Sequence, residues 1–194
     1  VYATPDEVRS FCGLSESECP DSVVLEALSY AQGFIDDYCA TTFSEPDNDS
    51  TYLYDGDGTT VIFAPPDGPF QSITKIEYYD GQEWQEYIGN YWVKAAGEYL
   101  ELEQPTTEGN QNWRITAKCW TRLNQHRANL LKRVTLMLCK LYLVPRDEPL
   151  GPSIRSISME GVSYSYQPVN FANPTGNNEI DYILRILRRN IVHV

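Results

Sequence analysis

Residues 112–145, "NWRITAKCWTRLNQHRANLLKRVTLMLCKLYLVP", change their hydrophobic period partway along. Up to Trp120 the pattern alternates. Trp113, Ile115, Ala117 and Cys119 fall on one side, and Arg114, Thr116 and Lys118 on the other, which predicts a half-buried antiparallel strand. Beyond it the apolar residues return at helical spacing. Leu131, Val134, Leu138 and Leu141 make one stripe, Leu130, Leu136, Met137 and Tyr142 widen it, and Pro145 ends it. A helix that is apolar on most sides belongs inside a core or between subunits.

The period-two pattern reaches upstream to about Thr51. "DGDG" at 55–58, "PPDGP" at 65–69 and "DG" at 80–81 supply turn chemistry. "QSITKIEYYDGQEWQEY" (71–87) predicts a hairpin closed by a two-residue type I′ turn at Asp80-Gly81. "EYLELE" (98–103) sets Leu100 and Leu102 opposite Glu101 and Glu103. The expectation is one antiparallel sheet with a wet face.

The flanks are helical. "TPDE" (4–7) is a capping box with Pro5 at the first helical position, Val8, Phe11 and Cys12 share a face, and Gly13 stops the helix. A second helix, capped by Asp21 or Ser22, carries Val24, Leu28, Ala31, Ile35 and Tyr38 as its stripe. After the central helix, "IRSISMEGVSYSYQP" (154–168) reads as a hairpin or bent strand, and "VNFANPTGNN" (169–178) as loop. A last helix opens at Asn177 or Asn178 with Ile180, Ile183 and Leu187 on one face. The predicted fold is α+β: a small α-helical bundle with an inserted antiparallel β subdomain and an extended C-terminal arm. Its parts are expected at 1–45 (N-terminal helices), 46–122 (β insertion), 123–150 (central helix) and 151–194 (hairpin and helical arm).

The 194 residues suffice for one core, or one core plus a satellite. No run approaches ~18 apolar residues, so no membrane contact is expected. Asp6 and Glu7 interrupt any leader-like apolar region near the start. The net charge of −12 is unevenly distributed. Residues 1–110 hold 22 acidic and 3 basic side chains, and residues 111–194 hold 5 acidic and 12 basic. One reading is a solvated acidic surface. The other is a two-pole subunit that mates head to tail and closes into a ring. On the second reading the subunit interface draws on Arg127, Lys132, Arg133 and Lys140, with Asp36 and Asp37 as acidic counterparts. The odd set of five cysteines lacks a CxxC pair and is expected as buried free thiols in a reducing compartment.

Catalytic residues do not assemble in the sequence. His126 and His193 have no nucleophile or metal-ligand spacing around them. "DNDSTYLYDGDG" (47–58) is acidic, but an EF-hand register from Asp47 puts Tyr52 where glycine is needed, and one from Asp55 puts Thr60 there. No phosphate-cradling glycine motif occurs. Glu101 and Glu103 share a sheet face, as solvated carboxylates commonly do. No catalytic residue, metal or cofactor is expected. Tyr78, Tyr79, Trp84, Tyr87, Tyr91, Trp92, Tyr99, Trp113 and Trp120 crowd the β region, which suits core packing, a protein interface or a carbohydrate platform. The net charge opposes tight nucleic-acid binding.

The order of elements carries a resemblance. The start "TPDEVRSFCGL", the helix ending "IDDYCATTF", the strand text around Pro69, Phe70, Ser72 and Ile73, the basic-apolar helix and the "ILRRN" terminus resemble the head–tail connector (adaptor) proteins of tailed phages. That resemblance implies a non-enzymatic virion protein, assembled in the host cytoplasm. It implies a ring, commonly of twelve copies, in the neck beneath the portal. The ring would meet the portal and the stopper or tail-completion proteins, and DNA would pass through it without specific binding. It further implies a portal-binding arm within 168–194, carrying Phe171, Ile183, Arg185, Ile186, Arg188 and Arg189. The alternative is an aromatic-rich β module that binds carbohydrate or protein.

Overall fold

A computed structural model describes residues 2–144, 156–159, 162–165 and 174–188. The chain divides into two compact units: a helical one made from Val1–Cys39 and Leu123–Val194, and a β unit, Ala40–Arg122, inserted between those segments. The fold is α+β.

In the helical unit, α1 (Pro5–Cys12) begins at the capping box. The Thr4 hydroxyl accepts from the Glu7 amide, and the Glu7 carboxylate accepts from the Thr4 amide. Gly13 closes α1 in the left-handed region, at φ 71°. Helix α2 (Asp21–Cys39) opens one residue earlier than a cap at Asp21 would require. Asp21 is already helical, and its carboxylate is taken up by Arg9 at 2.6 Å. Val24, Ala27, Leu28, Ala31, Ile35 and Cys39 form the buried stripe of α2, so Cys39 closes it where Tyr38 was expected. Helix α3 (Gln125–Leu143) is capped by Asn124 and buries Leu131, Val134, Leu138 and Cys139. Thr135 is also buried, its hydroxyl donating 2.8 Å back to the Leu131 carbonyl. Helix α4 (Asn178–Leu187) is capped by Asn177 and buries Ile180, Ile183, Leu184 and Leu187. Helix α3 packs against α1, α2 and α4. Each fully buried Leu or Ile contributes about 1.5–3 kcal/mol of transfer free energy.

The β unit has two sheets where the alternation predicted one. The first orders β1 (Ser50–Gly56), β7 (Gly109–Cys119), β3 (Phe70–Tyr79) and β4 (Trp84–Glu86) side by side. The second orders β2 (Val61–Phe63), β6 (Tyr99–Leu102) and β5 (Tyr91–Lys94). All pairings are antiparallel. Ile76, Trp113, Ile115, Ala117 and Cys119 from the first sheet share one core with Ile62, Leu100 and Leu102 from the second. The split follows from the connections. Pro65 and Pro66 have no N–H to offer a ladder. Gly68 then passes so close to the Trp120 backbone that a Cβ would stand 2.7 Å from it.

The predicted two-residue turn is replaced by a four-residue loop, 80–83, since Tyr79 pairs with Trp84. The Asp80 carboxylate accepts from the amides of Gln82 (2.8 Å) and Glu83 (2.9 Å). A tight I′ turn would leave no room for both bonds.

Two further strands, β8 (Ser156–Met159) and β9 (Val162–Ser165), pair with each other as a hairpin. Among the described residues no helix is long and apolar enough to cross a membrane.

Candidate interaction surfaces

The cations singled out on α3 lie on its outer side, and the fold gives most of them partners at home. Lys132 forms an ion pair with Glu7 of α1. Its hydrogen bond, with that from the Thr4 amide, holds the Glu7 carboxyl below the usual range. Arg133 pairs with Glu179 at the start of α4. Lys140 sets its ammonium 5.8 Å from the ring centre of Phe11. Arg127 is exposed and has no ion-pair partner among the described residues. Asp36 accepts from the Tyr2 hydroxyl at 2.5 Å, and Asp37 is exposed. Lys132 therefore meets an acid from the other half of the sequence, Glu7, within one helical unit, whereas Arg133 and Glu179 both come from the basic half. The sharper charge lies in the inserted unit, which carries 14 acidic and 5 basic side chains.

The C-terminal residues divide by exposure. Ile183 is 3% exposed, inside the core of the helical unit. Ile186 is half-buried, and Arg185 and Arg188 are exposed. Arg185 donates from Nε to the Asp181 carbonyl at 3.2 Å, and Arg188 lies 5.8 Å over the Tyr38 ring. Helix α4 is thus a member of the bundle, and what it offers a partner is the face with Tyr182, Arg185, Ile186 and Arg188. Phe171 and Arg189 lie outside the described residues.

The acidic residues that invited a chemical reading are committed to structure. Glu101 pairs with Lys94 at 3.2 Å, and Glu103 accepts twice from Asn90, at 3.0 Å each. Asp57 accepts from the Thr59 amide and hydroxyl, which hold it below the usual carboxylate range, and Asp55 accepts from the Gln111 amide. Among the described residues no three His, Cys, Asp or Glu side chains are placed to hold a metal ion. None of the five cysteines is in a disulfide. Burial pushes Cys39 and Cys139 up to about 12.

The aromatics sort into three groups. Tyr78 and Tyr87 pack at a tilt against buried Trp113, at 5.5 and 5.8 Å. Trp84 is covered by the Arg114 guanidinium at 4.3 Å and flanked by Tyr79 at 5.6 Å. Tyr91 and Trp92 stand exposed on β5 beside Val93. The Tyr-Trp-Val run of β5 is strongly β-prone but does not alternate, so the period-two pattern passes over it. On the helical unit, exposed Tyr30 and Tyr142, 5.3 Å apart, form a further cluster with half-buried Phe34.

These features define a class: an α+β chain that joins a helical bundle to an inserted β unit and presents charged and aromatic surfaces. No protein-family model and no curated protein matches the sequence. Solved structures share the fold. A chain described as "Neck of empty GTA particle computed with C6 symmetry" superposes with a TM-score of 0.62 at 13% identity, over 100% of this chain and 91% of that one. A chain from the virion of a native gene transfer agent (GTA) particle gives 0.61 at 14% identity, over 100% and 91%. A third, from the neck of the native GTA particle computed with C12 symmetry, gives 0.52 at 13% identity, over 90% and 85%.

Proposed function

We propose that this chain is a structural virion protein of the neck of a phage-like particle, a head–tail connector that forms a ring beneath the portal and extends the DNA channel. The observation that carries this reading is the end-to-end likeness to a chain of a particle neck, over 100% of one chain and 91% of the other. Necks computed with C6 and C12 symmetry favour a ring, with twelve copies as the expected number. The role is mechanical. An acidic surface repels phosphates, so DNA slides past it without sticking. The outward faces of α3 and α4, with Arg127, Arg185, Ile186 and Arg188, and the segment carrying Phe171 and Arg189 are the proposed contacts to neighbouring copies and to the portal. Stopper or tail-completion proteins would meet the opposite side of the ring. Assembly takes place in the host cytoplasm.

Co-expression with the portal protein of the same particle, followed by native mass measurement and electron microscopy, tests this. A ring bound to the portal is the expected outcome. A chain that stays monomeric beside an assembled portal, and is missing from purified particles, overturns it. The exposure of Trp92, 47%, supports a second reading as an aromatic carbohydrate-binding module. That reading requires quenching of tryptophan fluorescence by glycans.

A further inference from the structure

Strand β5 is the outermost strand of the three-stranded sheet. In an antiparallel ladder, opposed pairs alternate between exchanging two main-chain bonds and exchanging none. The Glu103 amide donates to the Asn90 carbonyl at 2.9 Å, so Asn90 and Glu103 are a bonded pair. Two and four residues on, Trp92 opposite Glu101 and Lys94 opposite Tyr99 are bonded pairs too. The N–H and C=O groups of Tyr91 and Val93 therefore point away from β6, toward an edge that no other described strand covers. The other side of β6 agrees. Leu102 donates to the Thr60 carbonyl and Ala64 to the Glu98 carbonyl, so β6 spends Glu98, Leu100 and Leu102 on β2 and keeps Tyr99, Glu101 and Glu103 for β5.

Proteins blunt open edges with prolines, bulges or unpaired charges. Strand β5 is short, but it has no proline and its register with β6 has no shift. Its one charge, Lys94, is held by Glu101. Tyr91, Trp92 and Val93 are 41%, 47% and 48% exposed in succession, so both faces of the strand keep apolar surface open, although the Lys94 ammonium lies 5.9 Å from the Trp92 ring centre. Ile88, just before it, is 98% exposed. The opposite edge, β2, runs into Pro65 and Pro66 and borders Tyr52 and Tyr54 of β1.

Among the described residues, a second element lacks what β5 offers, a further strand on its edge. The β8–β9 hairpin is a two-stranded sheet. Such a pair is marginal in water without a third strand or a packed face. Its register sets Ile157 opposite Tyr164 and Met159 opposite Val162, alternating with Ser156 opposite Ser165 and Ser158 opposite Ser163. Strands β5, β8 and β9 each span four residues, so one matches another end to end.

We propose that β5 is an assembly seam: the β8–β9 hairpin of an adjoining copy of this chain adds to its open edge through the N–H and C=O groups of Tyr91 and Val93. The three-stranded sheet becomes five-stranded, by strand addition in which main-chain bonds give affinity and the apolar side chains give selectivity. The inference rests on the ring reading above, because each copy gives a hairpin and receives one, a heterologous contact that closes only in a ring.

The test uses the full chain and its assembly measured by native mass. Val93→Pro removes an edge N–H and spares the β5–β6 ladder, whose bonds use Trp92 and Lys94, whereas Val93→Thr keeps that N–H. The proline variant, shown to be folded by circular dichroism, is expected to need about tenfold more protein to assemble, the scale of one or two lost main-chain bonds. The threonine variant should assemble normally. Amide exchange on the wild type is a second readout that needs no variant: the Tyr91 and Val93 amides should exchange fast in the monomer and slowly in the assembly. Normal assembly of a folded Val93→Pro chain, or unprotected Tyr91 and Val93 amides in an assembled ring, overturns the seam and leaves the ring standing. A wild type that never assembles, alone or with portal, overturns both.

Discussion

Arg114 grips Glu77 with two parallel hydrogen bonds across the β7–β3 pairing, Nε to Oε2 at 2.6 Å and Nη2 to Oε1 at 2.8 Å. Glu77 is 5% exposed, and Lys75 adds a third contact to its carboxylate at 2.7 Å. The same guanidinium covers Trp84. One arginine thus neutralises a buried acid and packs an aromatic ring.

The Arg114 hydrogen bonds, helped by Lys75, hold the Glu77 carboxyl at about 2 although burial pushes it up. The folded value lies below the ordinary glutamate value of 4.5, so the stabilisation is complete above that value and fades as pH falls from 4.5 to about 2. Arg114→Ala should cost roughly 2–3 kcal/mol at pH 7, between the values for exposed and for fully buried pairs. Urea midpoints at pH 7, 4 and 3 check this. The gap between variant and wild type should narrow as the pH drops, and a gap that stays constant would show that Glu77 is not its source.

Helix α4 is part of the bundle, so truncating its inner face should damage the fold. Leu184 is 0% exposed, and Leu184→Ala should cost about 2–5 kcal/mol, as other buried leucines do. Tyr182 is 61% exposed, and Tyr182→Ala should leave thermal unfolding nearly unchanged. Equal losses of melting temperature in the two variants would mean that α4 does not dock as described.

Elements set by local pattern were legible. The Thr4–Glu7 capping box, the alternation of Trp113 to Cys119, the inward Leu100 and Leu102 and the Asn177 cap each need only a few neighbouring residues. The missed features depend on contacts far along the chain. Lys132 and Glu7 are 125 residues apart, and nothing near either announces the other. Strand β5 escaped because Tyr91, Trp92 and Val93 do not alternate, being exposed on both faces. The second sheet exists because the chain turns away at Pro65–Gly68 and at Ala95–Gly97, where tertiary approach rather than period decides.

Gly97 shows that approach most clearly. Its φ is 97°, and a Cβ there would stand 2.4 Å from the Phe70 carbonyl oxygen. Gly97→Ala meets both a left-handed backbone and a backbone clash, and should destabilise the β unit by at least about 1–3 kcal/mol. Chemical denaturation followed by tryptophan fluorescence reads it, since the β unit holds Trp84, Trp92, Trp113 and Trp120. A neutral substitution would place Gly97 in open space.

The thiols should report burial. Cys39 is 0% exposed with its thiol pushed up to about 12, and Cys139 matches it, whereas Cys12 is half-buried. At pH 8 an aromatic disulfide reagent should label Cys12 first, and the others only at the rate of unfolding. Peptide mapping after timed labelling decides this. Early modification of Cys39 would contradict the packing of α2 on α4.

Arg127 separates charge that the fold has used from charge left for a neighbour. Lys132 and Arg133 are bound to Glu7 and Glu179, while Arg127, at the third helical position of α3, has no ion-pair partner among the described residues. If copies mate through their cations, Arg127→Glu should raise the concentration needed for assembly, and Lys132→Ala should change it little. The fold itself should tolerate Arg127→Glu, because a carboxylate in the first turn of a helix meets the positive end of its dipole. Native mass at low and high salt provides the measurement. Salt should weaken wild-type assembly and leave the residual assembly of Arg127→Glu less affected. Were Lys132→Ala the more damaging of the two, the contact would run through the α1–α3 surface, and Glu7 would have to release its lysine on assembly.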